Sequence, residues 1–214
     1  VNEMEYFSHG DEPFTLSKRY DRVLVDNKLT RLHQEDFCQA SGRSSSRKYE
    51  HEDGPSFAEC IDLIRKHSTQ PLKDIPRLIQ WQVFNCLVGN SDAHAKNLSF
   101  LYGLDNTIQL SPFYDLIAIH AWPRHIFNHE LALSIGGETR LHNIKRHHWE
   151  QLASKCDIAF KLFNTTITQL TEAVLDAFER AKNRFEAEHG KYPAFQQVKA
   201  ALVKNQRLLR NAFE

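Results

Sequence analysis

One helix of this chain has apolar side chains around much of its circumference. It is predicted between about Ile75 and Val88, and its apolar positions are Leu78, Trp81, Val83, Phe84, Leu87 and Val88. Because a helix that is apolar on several faces must be covered by other elements, it has to lie at the centre of the fold. Gly89 follows directly, at the position of a left-handed C-cap. The sequence therefore predicts a buried helix that ends at Val88.

The rest of the chain predicts a mainly α-helical protein. Ser56 followed by Glu59 has the spacing of a capping box and predicts the start of another helix. Apolar residues at steps of three and four over positions 167–185 predict a long amphipathic helix that ends at Gly190. A last helix is predicted after Pro193.

The N-terminal part predicts fewer regular elements. Residues 1–7 look helical but are too few for a stable helix, and positions 8–13 predict a turn. Positions 14–20 alternate apolar and polar residues, which predicts one strand, and a polar stretch then continues to Asn27. Residues 33–40 predict a short helix.

Composition excludes several classes of protein. Lysine plus arginine and aspartate plus glutamate both number 27, so no overall charge attracts the chain to nucleic acid or to an anionic membrane. No apolar run approaches the roughly 20 residues of a membrane span, and no signal peptide is recognisable, so we expect a cytoplasmic protein without a membrane partner. The cysteines are predicted to be buried free thiols: Cys38, Cys60, Cys86 and Cys156.

A polar loop follows the central helix. Residues 90–97 contain several side chains that bind phosphate, metal ions or protons, namely Asp92, His94, Lys96 and Asn97. Such residues are common in turns, so none is informative alone. However, positions 98–102 and 107–110 predict a β-hairpin that brings the chain back, so Asp115 is expected beside the loop. Two carboxylates and an amide should therefore converge.

This set of side chains matches the needs of phosphoryl transfer from ATP. One carboxylate orients the attacking hydroxyl and accepts its proton, while an amide oxygen and a second carboxylate hold magnesium ions. Asp92 and Asn97 are separated by 97 − 92 = 5 positions, the interval of the protein-kinase pattern H-R-D-L-x-x-x-N. The match is partial, since no His-Arg pair precedes Asp92 and Tyr114-Asp115-Leu116 differs from D-F-G.

Longer motifs resemble the HipA family, bacterial serine/threonine kinases that act as toxins of type II toxin–antitoxin systems. In chain order these motifs are Lys18–Arg22, His33–Gln39, Lys48–Glu50, Gly54–Ser56, Asn90–Asn97 and Ser111–Asp115. The resemblance extends to about Trp149 and implies a protein-kinase-like large lobe of the HipA C-terminal type, with a short β-hairpin at the active site. Residues 1–22 would be a remnant of the small lobe and the hinge. Residues 23–214 would form the helical lobe, with a catalytic loop at 90–97 and a metal-binding segment at 111–116.

The resemblance also implies individual roles. Asp92 would be the catalytic base, and Asn97 and Asp115 would bind Mg²⁺. The residues implied to bind the nucleotide are Lys18, Arg19, Tyr20 and Asp21 at the hinge and ribose, His94 and Lys96 at the phosphates, and Tyr114 beside the metal. The family more often has an acid where Lys18 stands, a tolerable departure because the hinge works through its main chain. The residues alone leave structural roles open: His94 could hold the loop, and Lys96 could be a solvated surface lysine.

Partners and alternatives follow from the same resemblance. It implies ATP and Mg²⁺ as cofactors, a protein substrate such as an aminoacyl-tRNA synthetase, and a helix-turn-helix antitoxin. No nucleotide-covering glycine loop or small-lobe lysine is recognisable, so the chain alone is expected to bind ATP weakly. The small lobe could belong to the same gene product or be supplied by a separate small-lobe-like protein. Operator DNA would be contacted only indirectly, with the basic stretch 142–149 as an auxiliary contact or a solvated loop whose Trp149 packs inward. A small-molecule phosphotransferase and an inactive antitoxin-binding lobe remain as alternatives.

Overall fold

The computed structural model describes residues 1–10 and 12–213. Its strands are β1 (Met4–His9), β2 (Glu12–Ser17), β3 (Arg22–Val25), β4 (Lys28–Arg31), β5 (His33–Asp36), β6 (Ser99–Tyr102) and β7 (Ile108–Leu110). Its α-helices are α1 (Phe37–Ala40), α2 (Phe57–His67), α3 (Pro71–Val88), α4 (Arg146–Lys155), α5 (Phe160–His189) and α6 (Ala194–Asn211). Helices dominate, as predicted, and within the described ranges none is long and apolar enough to cross a membrane.

Helix α3 is the centre of the core, as its apolar sequence predicts. It contacts α2, α5 and α6. The largest fully buried side chains of the core include Trp149, Phe37, Phe57, Phe100 and Phe163. Trp149 does pack inward, on a helix that begins at Arg146. All four cysteines are buried and free.

The predicted helix boundaries are confirmed where capping chemistry is strong. The Ser56 hydroxyl accepts a hydrogen bond from the Glu59 amide, and the Glu59 carboxylate accepts one from the Ser56 amide, which completes the capping box. Gly89 is the C-cap of α3 with φ of 71° and ψ of 42°, in the left-handed region. Helix α3 begins at Pro71, earlier than predicted, because proline is well suited to the first turn of a helix.

The predicted hairpin at 98–110 is confirmed and is part of a larger sheet. Strand β6 pairs antiparallel with β7 and, on its other side, with β5, where Asp36 lies opposite Ser99. The short helix predicted over 33–40 is therefore wrong for its first half, which is a strand. Only α1 is helical there, and it is capped by Asp36. Pairing with a strand distant in sequence decided the conformation of β5, and no local pattern reports such pairing.

Two separate hairpins precede that sheet. Strands β1 and β2 pair antiparallel, so the helical appearance of residues 1–7 is misleading, and the strand predicted at 14–20 ends at Ser17. Asp11, in the predicted turn between them, lies outside the described residues. The stretch predicted as irregular up to Asn27 forms most of a second hairpin, β3–β4, whose turn residues Asp26 and Asn27 have φ of 48° and 60°. Asp-Asn at positive φ is the chemistry of a two-residue hairpin turn.

A buried carboxylate connects α3 to the sheet. Asp74 is 0% exposed and accepts hydrogen bonds from the Ser68 hydroxyl (2.8 Å), the Leu110 amide (2.9 Å) and the Arg77 guanidinium (3.0 Å). Arg77 also donates to the Leu110 carbonyl at 3.0 Å. These bonds attach the end of β7, and with it the segment that leads to Asp115, to the central helix.

Candidate functional site

The polar loop after α3 is held by Asn90. Its buried side-chain amide donates to Asn85 Oδ1 at 3.1 Å and to the Asp115 carbonyl at 3.0 Å, while its Oδ1 accepts from the Asp92 amide at 3.2 Å. One side chain therefore connects the central helix, the loop and the segment of Asp115. The sequence suggested no role for Asn90. Its signals were its place directly after the helix-ending glycine and at the start of the motif Asn90–Asn97.

The Asn97 side chain contacts the backbone carbonyl of Asp92 and the carboxylate of Asp115. Asn97 lies in a one-turn 3₁₀ helix, Ala95–Asn97, and its side-chain amide donates to the Asp92 carbonyl at 3.0 Å. The same nitrogen donates to Asp115 Oδ2 at 3.2 Å. Asp115 has φ of 57°, a left-handed conformation that few residues other than glycine, asparagine and aspartate adopt. The hairpin thus delivers the second acid to the loop of the first.

The Asp92 carboxylate has two neighbours. The Tyr49 hydroxyl donates to its Oδ1 at 2.6 Å, and His94 Nε2 lies 3.8 Å from the same oxygen. Burial and the Lys48 ammonium lower the pKa of His94, although Asp92 and Asp115 act in the opposite direction. His94 is therefore expected to be neutral at pH 7. Tyr49 lies in the motif Lys48–Glu50, but nothing in the local sequence indicated that its side chain would reach Asp92.

Tyr114 and Lys96 are linked through the backbone. The Tyr114 hydroxyl donates to the Lys96 carbonyl at 2.8 Å and lies 2.9 Å from Ser99 Oγ. Burial raises the pKa of Tyr114 to about 12, so the phenol stays protonated. The Lys96 side chain is half-buried. Tyr114 therefore positions the 90–97 loop from the side of the hairpin.

A chain of hydrogen bonds connects the predicted hinge to this hairpin. The Tyr20 hydroxyl donates to Gln34 Oε1 at 2.9 Å, and Gln34 Nε2 donates to Ser99 Oγ at 3.0 Å. Ser99 in turn meets Tyr114, whose ring stacks on Tyr20 with centroids 6.4 Å apart. The sequence did not predict this chain, because it needs β5 to be a strand beside β6.

The other predicted hinge residues have ionic partners. Lys18 is exposed, and its ammonium pairs with Glu3 at 2.9 Å. Asp21 is 1% exposed and is paired with Arg19 and Arg22, each at 2.6 Å. The Arg19 guanidinium, assisted by Arg22, lowers the pKa of Asp21 to about 2, against the effect of burial. Asp21 therefore anchors the segment between β2 and β3.

This anchor predicts a loss of stability in acid. Because the pKa of Asp21 falls from 3.8 to about 2 on folding, its stabilisation of about 2 kcal/mol is complete above pH 4 and is lost as pH falls toward 2. We expect Asp21→Asn to lower the free energy of unfolding at pH 7 and to have little effect near pH 2. Urea titrations of both proteins across this range measure the difference. A difference that stays constant with pH would contradict the assignment.

A groove opens beside Asp92. It encloses about 860 Å³, and its walls are largely apolar and aromatic, with Tyr49, Ile117, Trp122, Phe127 and Leu131 among the lining residues. Ile117, Trp122 and Phe127 are each more than two-fifths exposed. The groove can therefore receive a ligand that reaches Asp92 from the side of the segment after Asp115.

The donor set fits a magnesium–nucleotide better than a free metal ion. In the described part of the chain, no group of three or more histidine, cysteine, aspartate or glutamate side chains could hold a metal. The candidate ligands are one amide, Asn97, and one carboxylate, Asp115, in direct contact. Mg²⁺ is commonly held by one or two carboxylates together with substrate phosphates and waters. Such a site is complete only when the nucleotide is present.

Comparison with known proteins identifies the family. Residues 1–181 match the model of the HipA-like C-terminal domain. The chain is 36% identical over 181 residues to Y4mE of Sinorhizobium fredii, covering 84% of the chain and 42% of that protein. It is 32% identical over 167 residues to the serine/threonine-protein kinase toxin HipA of Shewanella oneidensis, covering 72% of the chain and 37% of that toxin. The chain thus spans about two-fifths of the length of these relatives.

A solved structure supports the fold over nearly the whole chain. The HipA, HipB and operator DNA complex of Shewanella oneidensis MR-1 contains a chain that superposes with a TM-score of 0.82 at 22% identity. The match covers 99% of this chain and 53% of that one. The resemblance inferred from the motifs is therefore confirmed, and this chain belongs to the HipA-like C-terminal domain family.

Proposed function

We propose that the full-length protein is an ATP-dependent serine/threonine protein kinase and that this chain carries its catalytic loop and metal-binding segment. The observation that carries the proposal is the contact of Asn97 with both the Asp92 carbonyl and the Asp115 carboxylate. Asn97 thus joins the backbone of the loop that carries Asp92 to the side chain of Asp115, and this contact supports the arrangement that phosphoryl transfer requires. The kinase name of the Shewanella oneidensis relative supports the same reaction.

In the proposed reaction Asp92 is the general base. The acceptor hydroxyl oxygen bonds to the γ-phosphorus of ATP, the bond from that phosphorus to the β–γ bridging oxygen breaks, and ADP leaves. Asp92 takes the hydroxyl proton, while the Tyr49 hydroxyl holds its carboxylate in place. Asn97 and Asp115 would hold Mg²⁺, which neutralises negative charge on the phosphates.

The nucleotide would lie between the hinge and the catalytic loop. We assign residues 1–22 to the small-lobe edge and hinge, where the main chain of Lys18, Arg19 and Tyr20 would meet the base and Asp21 would lie near the ribose. Residues 23–214 would form the large lobe. Lys96 and His94 would face the phosphates, with the ammonium of Lys96 as the positive charge and Tyr114 bracing the loop.

The groove beside Asp92 favours a protein as the phosphate acceptor. Its apolar and aromatic walls suit the side chains around a serine or threonine better than the hydroxyl groups of a sugar. An aminoacyl-tRNA synthetase, whose modification would halt growth, is the protein substrate we propose to test first. The antitoxin partner is proposed from the Shewanella oneidensis complex, which contains HipB and operator DNA. A small helix-turn-helix protein would then bind this kinase in the bacterial cytoplasm.

Removing the negative charge of Asp115 tests whether its carboxylate binds Mg²⁺. We expect Asp115→Asn to raise the Mg²⁺ concentration needed for half-maximal phosphorylation by roughly tenfold or more, because a carboxylate ligand becomes a neutral amide. Asparagine also tolerates the φ of 57° at this position, so the backbone should be retained. The measurement is the rate of ATP-dependent phosphorylation by the full-length protein over a series of Mg²⁺ concentrations.

Asp157→Asn is the matched control. Asp157 is exposed, has φ of 48° and lies in the turn between α4 and α5. Its replacement should leave the Mg²⁺ dependence unchanged. Equal Mg²⁺ dependence of the two variants would rule out Asp115 as a ligand. If neither the wild type nor the variants transferred phosphate to any protein in a host lysate, the kinase proposal itself would fail.

A further inference from the structure

A second pocket adjoins the groove at Asp92, with which it shares Phe127, Asn128 and Glu130, and it is lined by basic side chains. It encloses about 150 Å³ between the segment after Asp115, the turn at 140–142 and α6. Its basic lining residues are His120, Arg124, His129, Arg140, His142 and Lys204. Acidic and basic residues are equal in number over the whole chain, so this concentration of positive charge is local. Nothing in the proposed phosphoryl transfer uses these residues.

The charges of this basic pocket are only partly neutralised. Glu130 is the single acidic residue in its lining, and it pairs with Arg140 at 2.9 Å. Over residues 1–10 and 12–213, no acidic group lies within 4.0 Å of Arg124 or Lys204. The basic pocket therefore has two positive charges without an anion beside them. Such an arrangement suits a small dianion.

Two stacked histidines form one wall. The rings of His120 and His129 lie 4.5 Å apart at an angle of 16°. His120 Nδ1 lies 3.3 Å from Asn205 Oδ1, and His120 Nε2 lies 3.1 Å from the His129 carbonyl. The orientation of Asn205 is set because its Nδ2 donates to the Leu87 carbonyl at 3.1 Å. Both nitrogens of His120 thus face oxygen acceptors, and only the imidazolium has two N–H groups to donate.

In the absence of a bound anion, burial and the neighbouring positive charges disfavour protonation of His120. Burial lowers the pKa of His120, and the charges of Lys204 and Arg124 lower it further. Burial and the neighbouring His120 lower the pKa of His129 as well. An anion between Arg124 and Lys204 would offset their charge and favour the protonated ring. Protonation would then complete both hydrogen bonds of His120.

We propose that the basic pocket binds a phosphate dianion, held by Arg124 and Lys204 and accompanied by protonation of His120. Guanidinium and ammonium groups make strong charge-assisted hydrogen bonds to phosphate oxygens. The phosphate could belong to a free ion or small metabolite, or to a phosphorylated serine or threonine side chain, because both present the same dianion.

Occupancy of the basic pocket would be transmitted to the catalytic loop through His120. Its backbone amide donates to the Gly89 carbonyl at 3.0 Å. Its imidazole lies so close to Gly89 that a Cβ there would overlap the ring. Gly89 is the residue from which the loop of Asp92 and Asn97 starts. A shift of the His120 ring on anion binding therefore acts directly on the start of that loop.

Histidine-selective NMR of the full-length protein tests the proposal. With inorganic phosphate at millimolar concentration, the pKa of His120 and of His129 should rise by at least about one pH unit. Lys204→Gln should weaken phosphate binding by about tenfold, the effect of losing one charge-assisted hydrogen bond. Lys28→Gln, on the exposed hairpin β3–β4, is the matched control and should leave phosphate binding unchanged. The backbone amides of Gly89 and Asn90 should shift in parallel with the imidazoles.

Different probes separate the sources of the phosphate. Tighter binding of inorganic phosphate than of a phosphoserine peptide indicates a free ion or metabolite, and the reverse order indicates a phosphorylated side chain. No change of the imidazole signals, or equal affinity in Lys204→Gln and wild type, would overturn the site. Equal responses to sulfate, or stronger competition by duplex DNA, would overturn the preference for phosphate. Imidazole shifts without any change at Gly89 would overturn the link to the loop.

Discussion

Asp92→Asn is expected to reduce phosphoryl transfer by the full-length protein by about 10³-fold or more. General-base catalysis typically contributes roughly 10²- to 10⁴-fold, and the amide also removes the negative charge that orients the acceptor hydroxyl. Asparagine has nearly the same shape as aspartate, and its side-chain oxygen can still accept from the Tyr49 hydroxyl. The fold should therefore be unchanged. Single-turnover transfer of labelled phosphate from ATP to a protein acceptor measures the rate.

Two comparisons make this result specific. Asp176→Asn, at an exposed position on α5, should transfer phosphate at the rate of the wild type. Nucleotide affinity of Asp92→Asn should remain close to that of the wild type, because Asn97, Asp115 and Lys96 are retained. A rate within tenfold of the wild type would show that another group takes the proton. A loss of nucleotide affinity in Asp92→Asn would instead show that Asp92 contributes to nucleotide binding.

Gly89→Ala is expected to lower the free energy of unfolding by about 3 kcal/mol. One part is the strain of a non-glycine residue in the left-handed region, roughly 1–2 kcal/mol. The other part is the overlap of the new Cβ with the His120 ring, for which overpacking costs of roughly 1–3 kcal/mol are typical. Differential scanning calorimetry of the full-length protein measures the expected fall in its thermal midpoint.

Gly42→Ala separates the two contributions. Gly42 has the same φ of 71°, but a Cβ there would have nothing within 4 Å. We expect Gly42→Ala to lower the free energy of unfolding by about 1 kcal/mol, because only backbone strain contributes. The difference between the two variants measures the close packing of His120 on Gly89. Equal destabilisation would mean that the imidazole moves aside without cost, and the contact could then not transmit a signal to the catalytic loop.

The sequence was sufficient for features that depend on local chemistry. The capping box at Ser56, the left-handed glycine after α3 and the β6–β7 hairpin each follow from a few neighbouring residues. The contact between Asn97 and Asp115 was predictable for the same reason, since one short hairpin separates them. Their chemical roles remain predictions that the experiments above address.

Long-range features could not be read from the sequence. Strand β5 forms because it pairs with β6 more than sixty residues later, and no local pattern reports that partner. The same holds for Tyr49, which reaches Asp92 across 43 positions, and for Asp74, which binds the Leu110 amide across 36. Alternation in β1 and β3 is weak because most of their side chains are exposed, so neither strand has a clear apolar face.

The hydrogen-bonded path from Tyr20 through Gln34 and Ser99 to Tyr114 has a consequence for ligand selection. On the proposed assignment, one end of this path touches the base of the nucleotide and the other end braces the loop that meets its phosphates. A rigid connection between the two ends fixes the distance between the site of the base and the site of the phosphates. Nucleosides with one, two or three phosphates would then be distinguished by length, because only the longest reaches Asn97 and Asp115 while its base stays at the hinge.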